Sequence, residues 1–205
     1  MSTTTGILSV QDAARQRRSI RAYEQVPIPH EELEEILDVA RLAPSAFNLQ
    51  PWRFVVVETP ELKERLAAAA NGQRQVRSAP AVIVLYTDMA DVLATVDETI
   101  HPAMDAAARA RARQTVLGLF GSQAEAEREA WAAGQGHIAL GYLLLAAEAH
   151  GYQTSPMAGF DPAAVKALLG LPDSARVPAL VAIGHGTEEG SPHHRHETGR
   201  LLRYA

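Results

Sequence analysis

Apolar side chains follow two patterns along the chain, one typical of helices and one typical of buried strands. From residue 31 to residue 42 they recur at i, i+3, i+4 and i+7, which predicts an amphipathic helix with one buried stripe. The stripe consists of Leu33, Ile36, Leu37 and Ala40. Short, uniformly apolar runs predict buried strands at 54–57, 81–86 and 179–183. Strands that alternate with helices indicate a mixed α/β arrangement of layers.

Two further helices are marked by residues typical of helix ends. Ser9 followed by Asp12 is typical of a helix start, and no Gly or Pro interrupts the residues after it. Asp161 directly before Pro162 predicts another start, because proline is favoured in the first turn. Gly170 then predicts the end of that helix.

A long helix is predicted over 124–150, with little side-chain bulk in its middle. Small residues let another backbone approach closely, and the partner is either another helix of this chain or a second subunit. The small residues are Ala132, Ala133, Gly134, Gly136, Ala139 and Gly141.

Residues 88–121 are helical in composition but have no clear period, and His101 before Pro102 interrupts them. We interpret this stretch as a variable helical segment of one domain spanning 1–205. Helical insertions of this kind often cover a pocket, so we expect a substrate lid here.

Composition narrows the classes of function. The chain has 205 residues, 47% hydrophobic and 21% charged, which fits one globular domain. A net charge of −5 without a dense Lys/Arg run gives no sign of a nucleic-acid or membrane partner. The absence of cysteine excludes disulfides, iron–sulfur clusters and cysteine nucleophiles. Residues 1–8 lack a secretory pattern and no run is long enough to span a bilayer, so we expect a cytoplasmic protein.

The first polar cluster follows the first helix. Arg17, Arg18, Ser19 and Arg21 lie within one short segment, so guanidinium groups and a hydroxyl can converge on a phosphate. The alternative is a solvated basic helix end, which is common.

The second polar cluster lies directly before the first predicted strand. The loop 44–52 carries Ser45, Asn48 and Gln50 between two prolines, and a rigid loop at a strand entrance is well placed to hold a ligand. The alternative is a turn whose amides bond the local backbone, with Trp52 in the core.

Histidines near the C-terminus suggest a metal site only weakly. His193, His194 and His196 lie in a polar tail without a carboxylate spacing that would complete the site, and such histidines are commonly solvated. His185 lies between Gly184 and Gly186, a pair too short to be a dinucleotide fingerprint. No catalytic triad is evident.

Taken together, the two polar clusters resemble the paired N-terminal signature of the nitroreductase family. The segment Arg-Arg-Ser-Ile-Arg-Ala-Tyr at 17–23 is followed about one helix later by the 44–52 loop. The resemblance continues through Asn71 and Arg74, through 155–161 and through the 179–184 strand. It covers nearly the whole chain except residues 88–121.

The resemblance implies an α+β, three-layer fold with a mixed, mainly antiparallel sheet flanked by helices. It also implies an intertwined homodimer with FMN at the interface. Arg17 and Ser19 would hold the FMN phosphate, and Arg18 would border the same pocket. A further basic residue would meet the phosphate after the last strand. Arg195 is the first choice there, and Arg200 is the second.

The flavin ring would contact three other parts of the chain. Arg21 would approach the N1/O2 edge, where positive charge favours the anionic reduced flavin. Asn71 would bond the pyrimidine edge, with Arg74 nearby. A backbone N–H near Ala158 or Gly159 would bond flavin N5. The segment against the ring consists of Pro156, Met157, Ala158 and Gly159.

Two features bear on specificity and assembly. Some relatives carry an acidic residue where this chain has Ala158, which affects ring-edge polarity and substrate preference more than flavin binding. The partner subunit would donate part of each flavin site. The donated residues are Pro44, Ser45, Asn48 and Gln50.

The implied activity is reduction of nitroaromatics, quinones or activated carbonyl and enone compounds, with NADH or NADPH as donor and a ping-pong mechanism. The flavin N5 carries the hydride, so no side chain is assigned a catalytic role. Two alternatives are a flavin-binding sensor without broad reductase activity and a relative that destroys flavin. The sequence does not distinguish NADH from NADPH, because the family that it resembles lacks a dedicated dinucleotide-binding fold whose acidic or basic residue would decide.

Overall fold

The structure is a computed structural model that describes residues 7–205. Its strands are β1 (Trp52–Val57), β2 (Ala81–Thr87), β3 (Gln153–Met157) and β4 (Arg176–Gly184). Its α-helices are α1 (Val10–Gln16), α2 (His30–Ala40), α3 (Pro60–Ala69), α4 (Arg74–Ser78), α5 (Met89–Ala94), α6 (Val96–Thr99), α7 (Ala106–Gly121), α8 (Glu125–Ala149), α9 (Pro162–Leu169) and α10 (Thr198–Leu201). None of the helices within 7–205 is both long and apolar enough to cross a lipid bilayer.

The four strands form one sheet in the order β1-β2-β4-β3, and every neighbouring pair is antiparallel. The two central strands are the apolar runs predicted at 81–86 and 179–183. A parallel bridge between Ser19 and Thr154 joins the segment after α1 to the edge strand β3. The predicted mixed, mainly antiparallel sheet is therefore confirmed.

Helices cover both faces of this sheet, because alternate side chains of the central strands point to opposite sides. Val82 and Val84 of β2 pack in one core with α3 and α9. Ala81 and Ile83 pack in a second core with α2 and α8. The three-layer α+β fold is confirmed.

The helix ends follow the predicted local chemistry. The Ser9 side chain accepts a hydrogen bond from Asp12 N, and Asp161 accepts from the amides of Ala163 and Ala164. Gly170 ends α9 in the left-handed conformation, with φ 64°.

Three details differ from the sequence-based expectation. The helix predicted over 31–42 ends at Ala40, before the Ala43–Pro44 step that disfavours helical backbone. The strand β3 and the short helix α4 carry no periodic apolar pattern and were not predicted. Residues 88–121 are interrupted at His101–Pro102 as expected, but a further break at Thr95 separates α5 from α6.

The small residues of α8 lie in two different environments. A Cβ on Gly136 would lie 2.9 Å from Thr87 Cγ2 and 3.1 Å from Pro178 Cγ, so this glycine packs against the sheet of its own chain. A Cβ on Gly134 or Gly141 would meet nothing within 4 Å in the described residues. Their side of the helix is open in a single chain.

Candidate functional site

The end of α1 directs the basic segment out of the helix. Arg18 Nη1 donates to the backbone oxygens of Arg15, Gln16 and Arg17 at 2.7 to 2.9 Å, which satisfies the carbonyls that a helix end leaves free. Ile20 N then donates to Thr154 O at 3.1 Å and fixes the segment to the edge strand. Local capping and one strand bridge thus hold the arginines in place.

A small basic cleft lies between this segment and the C-terminal tail. Its volume is about 220 Å³. It is lined by Arg17, Arg18, Ser19, Arg21, Ser191, Pro192, His193 and Arg195. Arg195 thus lies with the first cluster, whereas Arg200 lies in α10 and does not line the cleft. Within residues 7–205, none of the four lining arginines forms an ion pair.

Arg17 has an unmet hydrogen-bonding capacity at this cleft. Its Nη1 is buried and has no hydrogen-bond partner in the described part of the chain. Burial lowers the pKa of Arg17, with smaller lowering effects from Arg195 and Arg18, while Glu148 opposes the shift. A buried guanidinium donor without a partner is costly, so an anion in the cleft would be stabilised.

Glu148 of α8 is the nearby buried acid. Its side chain is 6% exposed, and Oε2 has no hydrogen-bond partner among the described residues. Burial raises its pKa, while the charges of Arg17 and Arg18 act in the opposite direction. The acid partly offsets the positive charge beneath the cleft.

A second group of predicted residues lies where the chain leaves β3. Asn71 Nδ2 donates to Gly159 O at 3.0 Å, and Gln73 Nε2 donates to the same oxygen at 2.8 Å. Asn71 has φ 56°, a left-handed conformation that asparagine tolerates better than most residues. Pro156 and Met157 belong to β3, and Ala158 and Gly159 follow it at the surface.

One carboxylate connects this second group to the basic segment. Glu188 Oε1 accepts from Arg21 N at 2.6 Å, and Glu188 Oε2 accepts from Arg74 Nη2 at 3.1 Å. Ser78 Oγ also donates to Arg21 O at 3.3 Å. The structure thereby brings the segments 17–21, 71–78 and 156–159 to one side of the fold.

Sequence reasoning missed two members of this arrangement, Glu188 and Gln73. Glu188 lies in an irregular polar segment, and nothing in its neighbours marks it as the partner of residues more than a hundred positions away. Gln73 could have been predicted as a site residue from its position, because it lies between Asn71 and Arg74.

The loop 44–52 lies apart from these groups. Gln50 N donates to Ser45 Oγ at 2.9 Å, and Asn48 Nδ2 donates to Thr99 O at 3.0 Å. Ala46 N donates to Gln135 Oε1 at 3.1 Å. In the described part of the chain, no hydrogen bond joins this loop to 17–21, 71–74, 156–159 or 195.

The backbone of the loop is strained at three residues that are not glycine. Phe47, Asn48 and Gln50 have φ of 56°, 56° and 45°, in the left-handed region that non-glycine residues rarely adopt. Pro44 lies at the surface before them, while Trp52 is 4% exposed. The alternative of a turn with Trp52 in the core is therefore met for Trp52, and Gln50 Nε2 donates to the local backbone oxygen of Asn48 at 3.1 Å.

A larger apolar cavity of about 520 Å³ lies between this loop and the 88–121 segment. It is lined by Phe47, Asn48, Thr99, Ile100, His101, Met104, Ala112, Thr115 and Val116. Its size and apolar lining suit a small organic molecule. In contrast, no group of three or more His, Asp or Glu side chains within 7–205 is arranged to hold a metal ion.

Comparisons with known proteins show the family to which the chain belongs. A family model described as the nitroreductase family matches residues 14–185. A Thermus thermophilus protein named NADH dehydrogenase is 50% identical over 202 residues, covering 98% of each chain. A Bacillus subtilis protein assigned as the NAD(P)H nitroreductase YdgI is 37% identical over 87% of this chain and 89% of its own. A structure from Exiguobacterium sibiricum, assigned as a nitroreductase and solved in complex with FMN, is 29% identical with a TM-score of 0.90, covering 99% of this chain and 100% of its own. The chain belongs to the nitroreductase family of oxidoreductases.

Proposed function

We propose that this protein binds FMN and uses NADH or NADPH to reduce small oxidised organic compounds, with nitroaromatics and quinones as the first candidates. The whole chain, 1–205, would act as one FMN-binding domain. The observation that carries the proposal is the basic cleft, which Arg17 lines and where its buried Nη1 has no hydrogen-bond partner within residues 7–205. The FMN-bound relative and the relatives named for NADH or NAD(P)H support the choice of cofactor and donor.

The residues of the cleft fit a phosphate monoester. Arg17, Ser19 and Arg195 would hold the phosphate, with Arg18 at its border. A dianion there would satisfy Arg17 Nη1 and be attracted by lining arginines that have no ion-pair partner within 7–205. These residues bind and orient the cofactor, and they exchange no proton with the substrate.

The second group would hold the ring. Asn71 lies at the pyrimidine edge in this proposal, with Arg21 supplying positive charge and Arg74 nearby. Ala158 and Gly159, which follow β3, are exposed residues, and a backbone N–H of one of them would bond the flavin. When bound, FMN supplies reversible hydride transfer, chemistry that no side chain of this cysteine-free chain can provide.

We further propose a homodimer in which the 44–52 loop completes the partner's site. The loop has no hydrogen bond to the cleft of its own chain within 7–205, although its polar side chains are accessible. An apolar groove of about 440 Å³ lies on the outer surface of α1, α2 and α8. Val39 is 40% exposed and Tyr142 39% exposed there, a pattern typical of a covered interface.

Donor and acceptor would use one site in turn, since the nicotinamide must leave before the acceptor can take its place. The apolar cavity beside the loop would receive the acceptor, and residues 88–121 would form its lid. The cytoplasmic location expected from the sequence stays a prediction.

Absorption spectroscopy of the purified protein tests the proposal. We expect a yellow protein with about one FMN per subunit, which NADH or NADPH bleaches without acceptor and which a quinone or nitroaromatic recolours. Steady-state rates at varied concentrations of both substrates should give parallel double-reciprocal lines.

Each other outcome has a distinct meaning. A colourless protein that takes up no added FMN contradicts the proposal. Flavin that no nicotinamide bleaches would favour the sensor, and irreversible loss of the flavin spectrum would favour flavin destruction. Intersecting lines would contradict the ping-pong scheme.

A further inference from the structure

Glu188 is an acidic residue that contacts two of the basic residues assigned to the flavin site. Its two carboxylate oxygens accept from Arg21 N at 2.6 Å and from Arg74 Nη2 at 3.1 Å. The segment that carries it is itself fixed to the chain beside Arg21, because Thr187 N donates to Ala22 O at 3.0 Å. The carboxylate therefore connects three segments, namely 19–22, α4 and the C-terminal tail.

The arginines assigned to the proposed site differ in charge compensation as a result. The arginines of the basic cleft have no ion-pair partner in the described residues, as a site for a dianion requires. Arg74 is instead paired with Glu188, and the pair has no net charge. An unpaired arginine at that edge would favour the more negative, reduced form of a bound flavin.

We propose that Glu188 is a positioning residue that holds Arg74 at the ring edge and cancels its charge. The reduction potential of the bound flavin is then lower than an unpaired Arg74 would make it. This inference rests on the proposed function, since it requires flavin at the site.

The test is a set of four variants whose flavin midpoint potentials are measured by anaerobic dye titration after saturation with FMN. Glu188→Gln keeps an acceptor for Arg21 N but leaves Arg74 uncompensated, so the potential should rise. Arg74→Gln leaves the carboxylate uncompensated, so the potential should fall. The double variant should return close to the wild-type value, and FMN affinity measured by fluorescence quenching accompanies each potential.

Glu189→Gln is the matched control, because Glu189 is exposed and has no hydrogen bond or ion pair in the described residues. Its potential should equal that of the wild type. If Glu188→Gln does not fold, Arg74→Gln alone decides the matter, since that side chain is 68% exposed. A lowered potential in Arg74→Gln supports the pair, and an unchanged or raised one overturns it.

A purely structural role for Glu188 would shift both single variants in the same direction, and the double variant would not recover. That result overturns the inference while leaving the proposed function intact. A wild-type protein that takes up no FMN overturns the proposed function and this inference together.

Discussion

Arg17 is the residue on which the proposed anion binding would depend most directly, because its Nη1 is buried and has no hydrogen-bond partner within residues 7–205. Arg17→Ala should weaken FMN binding by about 1.5–3 kcal/mol, the size of a hydrogen bond to a charged group. Isothermal titration of the apoprotein with FMN measures this loss.

Arg15→Ala is the control for that substitution, since Arg15 is exposed on α1 and does not line the cleft. Riboflavin, which lacks the phosphate, should bind both variants with similar affinity. An Arg17→Ala protein that binds FMN as tightly as the wild type would mean that the phosphate lies elsewhere.

Among individual residues, the sequence predicted candidate site residues that are adjacent along the chain or that belong to a family motif. Arg17, Arg18, Ser19 and Arg21 lie in one cleft because they follow a single helix end. Their binding roles stay predictions. Glu188 could not be predicted, because its role depends on a tertiary approach to Arg74 that no local pattern encodes.

Among the elements, α8 packs closely on the sheet at one side and is open at another. Gly136 lets it approach Thr87 and Pro178 closely, so Gly136→Ala should destabilise the fold. Overpacking destabilises a fold by about 1–3 kcal/mol, while the higher helix propensity of alanine relative to glycine stabilises it by up to about 1 kcal/mol. At the middle of that range we expect a net loss of about 1 kcal/mol in the free energy of unfolding, measured by urea denaturation.

Gly118→Ala in α7 is the matched comparison. A Cβ there would meet nothing within 4 Å among the described residues, so only helix propensity changes. The free energy of unfolding should increase by about 0.5–1 kcal/mol. If both substitutions shifted stability in the same direction, the close approach at Gly136 would not be the limiting contact.

The elements that sequence patterns predicted are those with a strong apolar period or uniform burial. The central strands β2 and β4 are apolar because helices cover both of their faces. The edge strand β3 contains Pro156 and polar residues, which a strand can carry at a sheet edge. Its pairing with β4 comes from tertiary context, so the local pattern gave no signal.

For the whole molecule, the separation between the 44–52 loop and the cleft is the feature with the largest consequence. A single chain presents the two parts of the expected flavin site without a hydrogen bond between them in residues 7–205. If each site takes its cleft from one subunit and its loop from the other, a subunit with a defective cleft and a subunit with a defective loop should together form one intact site. The open side of α8, at Gly134 and Gly141, leaves room for the required partner.

Hybrid dimers test this arrangement. Arg17→Ala and Asn48→Ala chains with different affinity tags would be co-expressed, and the hybrid isolated by both tags. One site of the hybrid would carry both substitutions, while the other would carry neither. The hybrid should therefore show about half of the wild-type turnover and FMN content, although each parent homodimer is impaired.

A site within one chain gives a different result. Each site of the hybrid would then carry one substitution, and turnover would equal the average of the two impaired parents. The same average is expected if Asn48→Ala acts only through its lost hydrogen bond to Thr99 O, because that contact lies within its own chain. Sedimentation of each variant must first find dimers, and a stable flavin-loaded monomer at micromolar concentration would contradict the shared site directly. Recovery to about half in the hybrid requires the loop of one subunit to complete the cleft of the other.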